Sequence, residues 1–91
     1  MASTISGSPR QITASGNVCA IPGVTLVGIF VSAATSTPTI TIYDDAGTGT
    51  TVKVVDTFTP VAGQFYPLYI GSRAGFNVVL GGTVSATVVL G

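Results

Sequence analysis

Ninety-one residues are enough for one domain and leave no room for a second, at a size where a single hydrophobic core is possible but marginal. Three basic and three acidic side chains cancel to a net charge of zero, and charged residues make up 7% of the chain, against about 25% in a typical soluble domain. Such a chain lacks the basic footprint that phosphate backbones require, so nucleic acid is not expected as a direct partner, and it has little electrostatic protection against self-association.

Residues 1–10 begin as a Ser-rich polar arm, MASTISGSP, without periodicity, and residues 11–91 are expected to form the folded domain. Thr and Val dominate the domain, Gly and Pro recur at short intervals, and strong helix formers are nearly missing. No window has apolar residues at helical spacing, so the chain is read as all-β. Strands are expected over residues 12–21 and 24–32. The second is apolar on both faces at its centre, which suits a central strand or one covered by a partner. The stretch AIPGVTLVGIFVSAA, residues 20–34, is too short and too interrupted by Pro22, Gly23 and Gly28 for a membrane span. One basic residue before it makes a poor signal leader, so synthesis in the cytoplasm of a chain retained whole is expected.

In TITIY, Ile40 and Ile42 point one way and Thr39, Thr41 and Tyr43 the other, the pattern of a strand with one wet face. Asp44 to Gly49, DDAGTG, reads as a flexible hairpin loop, followed by strands over residues 50–58 and 64–70 with the turn PVAG between them. Pro67 removes a ladder donor and marks the later strand as an edge or a bulge. The chain closes with NVVLGGTVSATVVLG, in which Phe76, Val78 and Leu80 form one apolar set and Val84, Ala86, Val88 and Leu90 another. Gly81-Gly82 between them reads as a hairpin turn. Seven strands at such spacing predict a single antiparallel β-sandwich of jelly-roll or immunoglobulin-like type.

Chemistry-bearing residues are few. The chain has no His, so the commonest group for acid–base work near neutrality is missing, and Cys19 lacks its usual activating base. Cys19 is expected to be a buried small hydrophobe, and no intrachain disulfide can form. The serines have no recognisable partner for hydrolytic chemistry. Asp45-Ala46-Gly47 faintly resembles the Asp-Thr/Ser-Gly loop of dimeric retroviral-type proteases, but Ala46 stands where the bracing hydroxyl is needed. Asp44, Asp45 and Asp56 do not have the spacing of a calcium loop, and solvated turn carboxylates are the expected role. No catalytic, cofactor-binding or metal-binding residue is assigned, and no enzyme activity is expected.

The aromatic stretch QFYPLYIGSRAGF supplies candidate interaction residues: Phe65, Tyr66, Tyr69, Arg73 and Phe76. They could fill the sandwich core, form a contact patch, since Tyr, Phe and Arg are enriched at interfaces, or offer a sugar-stacking platform.

The run TITIYDDAGTGTTVKVVDTFTPVAGQFYPL followed by GFNVVLGGTVSATVVL resembles small virion proteins encoded among the head genes of tailed bacteriophages. The similarity covers residues 38–90, through the Thr/Ile strand ending in Tyr43-Asp44, the TPVAG-QFYPL turn and strand, and the terminal GGTV-x-A-T-V segment. Many such proteins are capsid decoration or cement proteins. The resemblance implies a non-enzymatic, oligomeric part of the virion, located on the head surface and bound to the major capsid protein. Other readings are a tail, adaptor or head-fibre component, or a carbohydrate-binding module using Tyr66, Tyr69 and Phe76. No membrane partner is expected. The uncharged closing segment, or the apolar strand at residues 24–31, would be covered by a neighbouring copy or by capsid protein.

Overall fold

The computed structural model describes residues 8–91, and Met1 to Gly7 of the polar arm lie outside the described residues. Ser8 to Arg10 belong to the first strand. Six strands follow in chain order: β1 (Ser8–Ile12), β2 (Gly16–Cys19), β3 (Thr25–Tyr43), β4 (Lys53–Phe58), β5 (Gln64–Gly71) and β6 (Phe76–Leu90). All pairings are antiparallel. β3 and β6 pair along their whole length, from Leu26 opposite Leu90 to Tyr43 opposite Asn77. On the outer sides, β1 and β2 line the two halves of β6, while β5 and β4 line the two halves of β3.

The β3–β6 ladder cannot be straight. Nineteen extended residues would span about 60 Å at strand rise, yet the longest extent of the molecule is 40 Å. Gly71 pairs with Thr25 at one end of β3, and only residues 72–75 separate it from Phe76, whose neighbour Asn77 pairs with Tyr43 at the other end. Four linking residues cannot reach across about 60 Å, so the ladder folds back on itself. The outcome is the antiparallel β-sandwich that the alternation predicts. Its first leaf contains β1, the later half of β6, the earlier half of β3, and β5. Its second contains β2, β4 and the remaining halves of β3 and β6.

The corner lies where Thr35–Thr83 pairing gives way to Thr39–Gly81 pairing, with two extra residues on β3. Ser36 and Thr37 both take positive φ there, at 60° and 54°. That conformation is uncommon for Ser and unfavourable for a β-branched Thr. Gly82, with φ 68°, lies beneath them, and a side chain there would overlap the carbonyl oxygens of Ser36 and Thr37. The Gly-Gly pair is therefore a site of close strand crossing and not a hairpin turn, and the closing segment is one strand of 15 residues. Two expected pairs of strands merge into β3 and β6, while the expected strand at residues 12–21 splits into β1 and β2.

The core fills the space between the leaves with Leu26, Ile29, Val31, Ile40, Ile42, Phe76, Val78, Val84, Ala86 and Val88, all nearly solvent-free. Inward residues face each other across the ladder, as with Ile29–Val88 and Ile42–Val78. β6 is flanked on both sides, and so is the early half of β3. The hydrogen-bonding edges of these segments are thus filled by the chain's own strands, so neither segment presents a free strand edge for a neighbouring copy or capsid protein to pair with.

The edges are guarded in different ways, the β2 edge by being only four residues long with a register shift between Asn17 and Cys19. β5 has Pro67 and an extra residue between the Gly28–Pro67 and Leu26–Ile70 pairs, a bulge in which Tyr69 adopts φ 53°. β4 shifts register twice and bears the exposed Lys53–Asp56 ion pair. β1 carries Pro9 and Arg10. Proline, charge and bulges all oppose edge-to-edge pairing with other chains.

Candidate interaction surface

The two leaves differ on their outer faces. On the second leaf, Thr41 and Asn77 alternate with the core residues Ile42 and Val78 and so point outward, yet they are 6% and 2% exposed. The loop between β3 and β4 covers Asn77, and β4 shields Thr41. Asn77 Nδ2 donates to the Gly49 carbonyl at 3.0 Å, and Asn17 Nδ2 donates to the carbonyls of Asp45 and Gly47 at 2.9 and 2.7 Å. Asp45 Oδ2 accepts the Gly47 and Gly49 amides at 2.7 and 2.9 Å, which fixes the loop internally. Thr41 shares a hydroxyl–hydroxyl bond of 2.6 Å with Thr57 of β4.

Among the described residues no such strap crosses the first leaf. Gly28, Phe30 and Ser32 of β3 alternate with Ile29 and Val31 and face outward. Register sets them in rows with neighbouring strands. One row is Pro67, Gly28, Val89 and Pro9, and the next is Phe65, Phe30, Thr87 and Gln11. Ser32, Ser85 and Gln11 join by side-chain hydrogen bonds at the margin. Neither row contains a charged residue. Phe30 is 41% exposed and Phe65 45%, and the Phe65 ring lies over Gly28 so closely that a β-carbon there would overlap it. Gly28 thus gives the ring a flat backbone seat beside Phe30.

The five aromatic-stretch candidates do not form one surface. Phe65 belongs to the outer face. Tyr69 is 71% exposed, on the bulge of the same strand. Tyr66 turns inward, with its ring centroid 5.1 Å from that of Phe58 and its hydroxyl accepting the Val61 amide at 2.8 Å. Phe76 is wholly buried in the core. Arg73 is exposed on the β5–β6 loop, where its main chain serves a different purpose. The sugar platform of Tyr66, Tyr69 and Phe76 is not assembled, because strand alternation sends two of the three inside. Phe30 escaped the sequence reading, since it sits in a run that looks apolar on both faces. Its signal was the Gly28, Phe30, Ser32 alternation against Ile29 and Val31.

Asp44 is also not the solvated turn carboxylate expected. It is 7% exposed and accepts the amides of Arg73, Ala74 and Gly75 at 2.9 to 3.2 Å. The Ala74 amide contributes most to holding its carboxyl below the ordinary range; burial opposes this, and the Gly75 and Arg73 amides and the Arg73 charge reinforce it. Three successive amides around one carboxylate form a nest already filled from within the chain. Asp45 is occupied by its own loop, and Asp56 accepts from the Thr57 amide and Lys53, which lower its carboxyl. Among the described residues no cluster of three or more His, Cys, Asp or Glu side chains could hold a metal ion. Cys19 is buried and unpaired.

No family model, no curated protein and no solved structure matches this chain.

Proposed function

We propose that the protein is a non-enzymatic structural part of a tailed-bacteriophage particle, a decoration or cement protein that binds the major capsid protein on the head surface as an oligomer. The observation that carries this reading is the contrast between the leaves among the described residues: one outer face is strapped by the chain's own loop, and the other is left open, uncharged and furnished with Phe30 and Phe65. Aromatic side chains on a surface lacking charge are the composition of an interface centre. The edges are protected, so association falls to this face and not to strand addition.

Four strands at about 4.8 Å spacing, read over five residues, give a face of roughly 20 by 17 Å. That is less than half of the roughly 800 Å² each partner contributes to a standard interface. A single contact of this size is weak. Repetition over a lattice converts weak contacts into firm attachment, which is how a cement protein works. The resemblance of residues 38–90 to head-gene products supports the same reading.

The test uses the purified protein and phage heads that lack it. Native mass spectrometry gives the oligomer, and the heads' melting temperature with and without added protein gives the function. A discrete oligomer that binds and raises the melting temperature is expected. A monomer indifferent to heads would overturn the proposal.

A further inference from the structure

At the free margins of the leaves, where β1 and β2 lie, the sandwich opens as a groove of about 400 Å³. Val18 and Leu90, both core residues, form its depth with Cys19 and Val24, and Ile21, 59% exposed, forms part of the rim. Arg10 also lines it. In β1, Arg10 pairs with Val88 and so lies on the same side as the core, so its guanidinium borders an apolar recess. Among the described residues no carboxylate lies within 4 Å of Arg10; the ion pair there joins Lys53 to Asp56. Asp44 and Asp45 are engaged by backbone amides elsewhere, and Gly91, which also lines the groove, has its oxygen held by the Thr25 amide at 3.0 Å and is not paired with Arg10.

An apolar recess with one unpaired cation at its mouth is complementary to an amphiphilic anion. We propose that this groove binds an aliphatic monocarboxylate, with the tail against Val18, Val24 and Leu90 and the carboxylate on Arg10. A planar guanidinium can hold a carboxylate through two parallel hydrogen bonds, which a point-charge cation cannot match. The volume is within the range of small-molecule sites, and at about 30 Å³ per water-sized group it accommodates a chain of roughly ten carbons. Each methylene buried should tighten binding about fourfold. This inference is independent of the virion reading, because it concerns the isolated chain.

The experiment is a titration of the full-length, ¹⁵N-labelled protein with decanoate, followed by amide chemical shifts. Saturable shifts at Arg10, Val18, Ile21, Val24 and Leu90 are expected, with octanoate weaker by about sixteenfold for two methylenes. Decanol, which has the tail without the charge, should bind about tenfold more weakly than decanoate, and Arg10→Gln should abolish that difference. Both Arg10 and Ile21 are exposed, so Arg10→Gln and Ile21→Asp should leave the fold intact. Ile21→Asp should weaken both ligands. The absence of saturable shifts at millimolar decanoate would overturn the site. Equal binding of decanol and decanoate would overturn the role of Arg10. Shifts that follow protein concentration and not decanoate would assign the groove to a second copy and overturn the proposal.

Discussion

Replacing Asp44 by Ala tests whether the sandwich is held shut at the end opposite its corner. The carboxylate joins the end of β3 to the β5–β6 loop, and with it removed the amides of Arg73, Ala74 and Gly75 lose their acceptor. A hydrogen bond to a charged group contributes about 1.5–3 kcal/mol, and such contributions are not additive. Water can reach Arg73, which is exposed, whereas Gly75 is buried and its amide would stay unsatisfied. A loss of about 3 kcal/mol is the resulting expectation. Against a total stability of about 5–10 kcal/mol for a domain of this size, that is a large fraction.

In urea, with a slope of about 1.5 kcal/mol/M, the unfolding midpoint should fall by about 2 M. Acid supplies an independent check. The folded carboxyl titrates below its unfolded value, so its stabilisation is complete above about pH 4 and is lost as pH falls through the folded value. The gap between wild type and Asp44→Asn should therefore be wide at neutral pH and close on acidification below about pH 4. An Asp44→Ala midpoint within experimental error of wild type would refute the reasoning. So would a gap that stays constant with pH.

Gly82→Ala should be among the most damaging single-methyl additions, costing about 2–4 kcal/mol in thermal or urea unfolding, because φ is positive and the new β-carbon meets the Ser36 and Thr37 carbonyls. Tyr69→Gly should do the opposite for the fold, raising stability by about 1 kcal/mol by relieving the left-handed backbone at the bulge; a melting temperature below wild type would contradict this. Gly28→Val should displace the Phe65 ring and push against the Tyr66 carbonyl of the paired strand, read as an altered near-ultraviolet spectrum, a lower melting temperature and loss of head binding; unchanged binding would show that the seat is dispensable.

Much of the architecture is legible in the sequence, because alternation is a local signal. Ile40 and Ile42 against Thr39 and Thr41, or Val84, Ala86 and Val88 against Ser85 and Thr87, reveal their faces without tertiary information. The corner does not. Gly81-Gly82 looks like a turn because glycine permits positive φ, but whether a chain turns there or passes straight beneath another strand depends on Ser36 and Thr37, more than forty positions away. Nothing in the propensities of Ser and Thr announces that both will adopt left-handed backbone. Asp44 departs from the sequence expectation for a similar reason. Asp in a loop is ordinarily wet, and its burial arises only when folding the ladder brings residues 72–75 alongside. The outer-face site was half legible: parity separates Phe65 and Tyr69 from Tyr66, whereas the partnership of Phe65 with Phe30 requires the β3–β5 register.

The claim that the open face of the first leaf attaches the protein to phage heads is tested most directly by the double variant Phe30→Asp, Phe65→Asp. Both side chains are exposed, so the variant should remain folded by circular dichroism. Two charges on the face must be desolvated on docking. Sedimentation with heads that lack the protein should show wild type bound and the variant free. A folded variant that still binds heads as tightly as wild type would contradict the account and move the contact to another surface.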